Sequence, residues 1–259
     1  MKPIDQIYMK IRHIAFMGPV KFYSSMNTPE NLIHIGAHLA QEKESYESQG
    51  FKNLFWIEAN PDVFSVLQSK VGSRNCSQSL LWSESGIEKT FYISNNEVSS
   101  SAYNFLEGNA WPELAMTRKI KLETNTFSNL VNQCVISEEM LSKSLVVLDT
   151  QGSELEVLIG FDRRLNSVTA ICVEVSKKKF YDGGADYKDI NSFLKQSGFR
   201  RIAAWIDPLI GHGDALFISN SKEVPLKYVC LGKCIWLCHI TYFAFRALNR
   251  RGILKLNSI

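Results

Sequence analysis

At 259 residues the chain is long enough to bury one substantial core and to carry appendages. Its 45% hydrophobic and 21% charged residues are the proportions of a soluble globular protein, which excludes a fibrous or disordered chain. A net charge of only +3 gives no bulk electrostatic case for nucleic-acid binding.

Ile4, Ile7, Ile11 and Ile14 recur at helical spacing, so residues 4–16 predict an amphipathic helix. Nothing in Met1 to Phe16 has the form of a secretory signal. Pro19 and the stretch from Ser24 to Pro29 predict a linker. Residues 31–35 predict a buried strand running into Gly36, followed by a helix over 40–49 that ends at Gly50. A second strand over 53–58 ends on Glu58. Asn60 then caps a helix with Pro61 at its first position and Val63, Val66 and Leu67 on one face.

A strand, a glycine turn, a helix and a second strand ending on an acid are how an α/β fold holds a ribose-bearing cofactor. Glu58 is placed to accept hydrogen bonds from two ribose hydroxyls. A dinucleotide fold wants three glycines for close approach to a pyrophosphate. Here Gly36 is followed by Ala37, His38 and Leu39, with no second or third glycine. A cofactor with ribose and no pyrophosphate fits better, S-adenosylmethionine (SAM) being the common one. The competing reading is a plain strand–turn–helix with Glu58 facing solvent.

Further along, residues 77–82 predict a third strand, with Thr90–Ile93 as its hairpin partner after the turn at Glu84-Ser85-Gly86. Asn95 to Pro112 is a long polar loop holding Ser99, Ser100 and Ser101. Ile120–Leu122 predicts a short strand, and a helix follows near 126–134. Ser144 to Asp149 is an apolar run ending on an acid, the mark of a central parallel strand. Ser153 and Glu156 predict a capping box, with Leu155, Leu158 and Ile159 as the buried helical face. Val168 to Glu174 repeats the apolar strand that ends on a carboxylate. Asp186 opens a helix with Ile190, Phe193 and Leu194 inward, and Gly198 stops it. Residues 199–206 and 214–219 predict two final strands, close enough through Gly211-His212-Gly213-Asp214 to pair antiparallel. The alternation over 31–219 predicts a doubly wound, mostly parallel sheet of the α/β class.

Taken together, residues 31–219 resemble the FkbM-like methyltransferases, a branch of the class I SAM-dependent enzymes. The landmarks are Ile33-His34-Ile35-Gly36-Ala37-His38 with Gln41-Glu42 and Tyr46, then Trp56-Ile57-Glu58-Ala59-Asn60-Pro61. Leu148-Asp149-Thr150-Gln151-Gly152-Ser153-Glu154 through Leu158, Val173-Glu174-Val175-Ser176, Tyr187 to Phe199 and Gly213-Asp214-Ala215 complete the set. The resemblance implies a Rossmann-like seven-stranded class I sheet with its last strand antiparallel. It implies methyl transfer from SAM to an oxygen, usually a hydroxyl of a sugar, glycolipid or polyketide. Many relatives carry Asp where this chain has His34, and an acid there would help order the amino-acid end of SAM. The expected cofactor-binding set is His34, Gly36, Ala37, His38, Glu42, Glu58 and Asn60.

Alkyl hydroxyls are poor nucleophiles until the proton leaves, so a base beside the cofactor is expected. Asp149 and Glu174 end strands that this topology makes neighbours, and His212 lies in a glycine-flanked turn. These three are the catalytic candidates. Asp149 and Glu174 are also the candidate ligands of a hard cation, Mg²⁺ or Mn²⁺. The bland readings are that Asp149 caps the next helix and that His38 and His212 are solvated. Ser99–Ser101 and Tyr103 are candidates to bind a polyhydroxyl acceptor, and Trp111 and Pro112 to close that loop. Lys177 to Lys179 are a solvated face or a contact for an anionic substrate.

Six cysteines, at 76, 134, 172, 230, 234 and 238, form no CxxC pair, so a reducing, cytoplasmic setting is expected. Cys172 reads as core. Residues 222–259 hold seven Lys/Arg and one acid, a balance of +6 that leaves −3 for the rest. Within that tail Tyr228 to Leu248 is nearly long enough to span a membrane, against which Lys233 and His239 argue. It has three readings: packing on the domain or a second subunit, lying in a membrane interface, or spanning. Cys230, Cys234 and Cys238 would share a helix face. The expected organisation is a helical extension over 1–28, a methyltransferase domain over 29–221 and a helical tail over 222–259. The expected partners are a small-molecule, glycan or glycolipid acceptor and, through the tail, a membrane surface or a second copy, with no nucleic acid. The alternatives are a binding or scaffold protein that kept the fold, or a nucleotide-sugar oxidoreductase, which the missing glycines oppose.

Overall fold

The computed structural model describes residues 17–26, 30–107 and 112–250. The helix expected over 4–16, and Trp111, lie outside the described residues. The chain runs α1 (Pro19–Met26), β1 (Asn31–Ile35), α2 (Lys43–Ser48), β2 (Asn53–Glu58), α3 (Pro61–Val71), β3 (Cys76–Gln78) and β4 (Leu80–Leu81). It continues through β5 (Glu88–Ser94), β6 (Met116–Asn125), α4 (Phe127–Asn132), α5 (Glu138–Ser142), β7 (Ser144–Leu148), α6 (Glu154–Gly160) and β8 (Ala170–Ser176). The last elements are α7 (Tyr187–Gln196), β9 (Phe199–Ile206), β10 (His212–Ser219) and α8 (Leu226–Arg250).

Seven strands form one sheet in the order β3-β2-β1-β7-β8-β10-β9. Strands β1 and β7 are buried at all five positions, as expected of apolar runs covered on both faces. One face packs on α4 to α7 through residues such as Phe127, Leu141, Leu158 and Leu194. The other packs on α1, α2, α3 and α8 through Phe22, Tyr46, Leu67 and Ile235. Strand β10 runs antiparallel to both β8 and β9, so the last strand of the chain is the reversed one. The connections reverse direction between β1 and β7, and that switch point is where such a sheet opens a crevice at its strand ends.

Several elements depart from the sequence pattern. The stretch 77–82 is not one strand: Cys76–Gln78 joins β2, then Leu80–Leu81 crosses to a separate three-stranded sheet, β4-β6-β5. Periodicity cannot show a change of sheet. The partner of β5 is therefore β6, not the third strand, and β6 runs ten residues where Ile120–Leu122 alone had been expected. Its exposed Thr117, Lys119, Lys121 and Glu123 hide the pattern, because one face of this antiparallel ribbon is solvated. Helix α2 starts at Lys43 because His38 and Ala40 adopt φ of 44° and 48°, which a right-handed helix excludes. In α3 the inner face is Val63, Leu67 and Val71, with Val66 left 54% exposed.

The capping box at Ser153 does not form. Ser153 Oγ donates to Thr150 O, and the Glu154 carboxylate instead accepts from the Thr150 and Gly152 amides. The buried face of α6 is Val157, Leu158 and Gly160, while Leu155 is partly buried and Ile159 is exposed. Gly160 sets this rotation, since a Cβ there would lie 2.1 Å from Trp82 O.

Candidate active site

The crevice at the switch point starts with Gly36. It has φ +82°, and a Cβ on it would stand 1.7 Å from the Asp149 carbonyl oxygen. Only glycine lets the turn after β1 lie against the end of β7. The Gly36 and Ala37 amides both donate to Ile57 O, at 2.9 and 3.0 Å, so β2 locks this turn. The Asp149 amide donates to Ile35 O at 3.0 Å, which fixes the other wall.

Glu58 lies across that turn. It is 8% exposed. Its Oε2 accepts from the His38 amide and its Oε1 from the Asn60 amide, both at 2.8 Å. Burial raises its pKa, while the two backbone donors pull the other way. Those donors hold the carboxylate rigid and leave each oxygen a further lone pair. The cleft around it spans about 510 Å³ including its mouth, with Ile57, Ala59, Leu80, Leu81 and Phe91 as an apolar wall. Glu97, Val98 and Ser100 reach in from the loop after β5. An apolar slot beside a fixed carboxylate suits an adenosine, with its flat base and two hydroxyls.

Beyond Asp149 lies a chain of polar contacts. Gln151 Nε2 donates to Asp149 Oδ1 at 2.5 Å and to Glu174 Oε2 at 3.1 Å. Gln151 Oε1 accepts from Tyr181 OH at 2.6 Å, and its carbonyl accepts from Ser101 Oγ at 2.6 Å. Glu174 Oε1 is 3.0 Å from His212 Nε2. Asp214 pairs with Glu174 in the β8–β10 register. Gln151 holds φ +55°, a strained position for a side chain of this kind. A second hollow, about 350 Å³ with its open mouth included, adjoins this chain, lined by Glu174, His212, Tyr181 and Phe180, with Lys178 and Lys179 at its wall.

Burial pushes these groups toward their neutral forms. Glu174 is raised well above the usual carboxylate range, by burial first and by Asp149 beside it. Asp149 is raised by burial, with Gln151 and His212 opposing. Glu154 and Asp214 are each pushed up to about 7 by burial and by the charge of Asp149. His212 is lowered by burial, against the pull of Asp214 and Asp149. A lowered histidine beside raised carboxyls is a neutral acceptor at pH 7, the state a general base needs.

A family model described as the methyltransferase FkbM domain matches residues 34–201, which takes in the cleft, Asp149, Gln151, Glu174 and most of the sheet and stops short of His212 and Asp214. The chain belongs to the FkbM methyltransferase family. Among solved structures, it is similar to an FkbM methyltransferase from Methylobacillus flagellatus KT, at 11% identity and a TM-score of 0.44 over 74% of this chain. The chain spans 44% of the length of that protein. It is also similar to a magnesium protoporphyrin IX methyltransferase with bound SAM from Synechocystis PCC 6803, at 10% identity and TM-score 0.41, over 83% of this chain and 80% of that one. A third is a 1,6-didemethyltoxoflavin-N1-methyltransferase from Burkholderia thailandensis, at 9% identity and TM-score 0.39, over 84% and 81%. A comparison with curated protein sequences finds no match.

Within this FkbM domain the expected cofactor residues divide. Gly36, His38 and Glu58 line the cleft. Ala37 is buried behind it and its amide is used by Ile57 O. Asn60 lies just past Glu58, where its side chain caps α3 by accepting from the Asp62 amide. Glu42 sits half-buried at the start of α2, apart from the residues that line the cleft. His34 is 5% exposed beneath the turn, with its ring centroid 5.5 Å from Trp56 and 5.9 Å from Tyr46. Burial lowers its pKa to about 4, so it is a neutral ring in an aromatic layer. The expectation of a cofactor contact at His34 rests on the resemblance, in which many relatives carry Asp at this position, and position in a strand does not by itself give the surroundings of a side chain.

Asp149, Glu174 and His212 do come together, and Gln151, Tyr181 and Asp214, which join them, carried no assigned role in the sequence. The one local signal for Gln151 was its place two residues after a strand-ending acid. The donor set does not fit a hard cation: an amide nitrogen bridges the two carboxylates, and no group of three or more His, Cys, Asp or Glu among the described residues is arranged to hold a metal. Of the serine cluster, Ser100 lines the cleft, while Ser101 is fully buried and holds Gln151. The Tyr103 ring packs on Trp82. Cys172 is buried, as expected.

Proposed function

We propose that this FkbM domain transfers a methyl group from SAM to a hydroxyl of a sugar, glycolipid or related polyhydroxyl acceptor. The observation that carries the reading is the position of the Asp149–Gln151–Glu174–His212 chain, between a cleft with a ribose-type carboxylate and a second polar hollow. The dinucleotide alternative is disfavoured, since the Gly36 and Ala37 amides are already bonded to Ile57 O and no further glycine opens the turn.

SAM, when bound, supplies a methyl group on a sulfonium, already a good electrophile. Glu58 would hold its ribose, and the wall of Leu80, Leu81 and Phe91 its base. The sheet ends keep the cleft and the second hollow side by side, so alignment of the two substrates provides much of the rate. His212 Nε2 and Glu174 Oε1 share one proton over 3.0 Å, and this pair takes the acceptor's hydroxyl proton. Gln151 keeps the Glu174 and Asp149 carboxylates apart from each other's charge by donating to both. Tyr181 fixes the orientation of that amide. Phe180 packs edge-on against His212, at 5.5 Å between centroids, and restrains its ring.

Calorimetry and product mass test the two halves separately. Glu58→Ala should weaken SAM binding by about 1.5–3 kcal/mol, the loss of charged hydrogen bonds. Asp149→Asn and Glu174→Gln should bind SAM nearly as wild type and methylate about 10²–10⁴ times more slowly, read as a product gain of one methyl. Equal SAM affinity in wild type and Glu58→Ala removes the cleft from the site. Absence of any SAM binding by the folded protein leaves the scaffold alternative.

A further inference from the structure

We propose that α8 seats the protein on an anionic membrane surface, lying flat with one face on the domain and the other in the lipid interface. The helix is long and apolar enough by length and composition to cross a bilayer, so the question is which face meets what. At about 100° per residue its positions separate cleanly. Among the described side chains the exposed residues are Leu226, Lys227, Cys230, Lys233, Cys234, Leu237, Ile240, Ala244, Leu248 and Asn249, which fall within an arc of about 180°. Leu226 is 75% exposed and Leu237 56%, unusual for leucines of a domain with a filled core. Lys227 and Lys233 stand toward opposite sides of the arc, where long stems reach from an apolar bed to headgroups.

The opposite face is engaged with the protein. A Cβ on Gly232 would stand 2.3 Å from Ile202 O, so helix and strand β9 touch backbone to backbone. Ile235 is fully buried and belongs to the same cluster as Trp205 and Phe22. Tyr228 OH donates to Ser25 O of α1, and its ring meets Phe22 edge-on. A transmembrane helix would have to abandon all of these contacts and uncover the outer face of β9. Spanning is therefore disfavoured, and a flat helix keeps every one of them.

Charge decides between a membrane and a second copy. Residues 224–259 contain six Lys/Arg and no Asp or Glu. Two copies meeting through this arc would bring lysines together with no acid on the helix to balance them. An anionic lipid surface supplies the missing charge and accepts the apolar stripe at once. This inference stands independently of the methyl-transfer reading.

The test is co-sedimentation of the purified full-length protein with vesicles of phosphatidylcholine, with and without phosphatidylglycerol. Binding to the anionic vesicles should exceed binding to neutral ones at least tenfold and should weaken with added salt. Leu237→Asp should reduce it about tenfold or more, and Lys233→Glu about fivefold or more. Both side chains are exposed, so unchanged circular dichroism and unchanged melting identify folded variants. No binding to anionic vesicles overturns the proposal, as does equal binding to both kinds. A dimer in light scattering that Leu237→Asp dissociates, without vesicle binding, assigns the face to a second copy instead. Release from cell membranes only by detergent, and not by high salt or alkaline carbonate, assigns it to a span.

Discussion

Glu154 offers the sharpest check on the electrostatics of the site. It is 3% exposed, and its carboxyl accepts from the Thr150 amide at 2.9 Å, the Thr150 hydroxyl at 3.2 Å and the Gly152 amide at 3.0 Å. These bonds close the turn that presents Gln151. Burial and the charge of Asp149 nevertheless push its pKa up to about 7, from an ordinary 4.5. A carboxyl raised in the folded state contributes stability that is fully present below the unfolded pKa and is lost as pH rises through the folded one. For those two values, integration between pH 5.5 and 8.5 gives a loss of about 2 kcal/mol from this single group. Glu154→Gln keeps the accepting oxygen and cannot ionise. Urea denaturation at the two pH values should therefore show the wild type losing about 2 kcal/mol more than the variant. At pH 5.5 the variant should be no more stable than wild type, and at pH 8.5 its relative standing should improve. Parallel behaviour of the two proteins over this interval would refute the raised carboxyl, and with it the description of the 150–154 turn as a buried neutral acceptor.

Gly36→Ala should destabilise the protein by about 2–5 kcal/mol in the same assay, from left-handed strain plus the clash with the Asp149 carbonyl; wild-type stability would mean the β1 and β7 ends are farther apart than described. His212, lowered below 6.5, is neutral at pH 7 and becomes protonated as pH falls, so methylation should be flat above pH 7 and decline toward pH 5. In His212→Asn the rate should be low and that decline lost. The same acid limb in the variant would assign it to another group.

The sheet was legible in the sequence because fully buried parallel strands leave continuous apolar runs. Leu32 to Ile35, Leu145 to Leu148 and Ile171 to Val173 can hardly be anything else. Strand-ending acids and the single glycine likewise marked Glu58, Asp149, Glu174 and Gly36, since chain order along a doubly wound sheet fixes which ends share a crevice. Side-chain direction and contact at a distance were not legible. His34 lies within the best-marked strand, yet only the packed Tyr46 and Trp56 rings make it a layer of the core. Gln151 links two carboxylates 25 residues apart only because the turn at Glu154 and the Tyr181 hydroxyl aim its amide. The change of sheet at Ser79, the length of β6 and the rotation of α6 were each decided by tertiary pairing. A period of two or of 3.6 records which residues share a face, and carries no information about what that face meets.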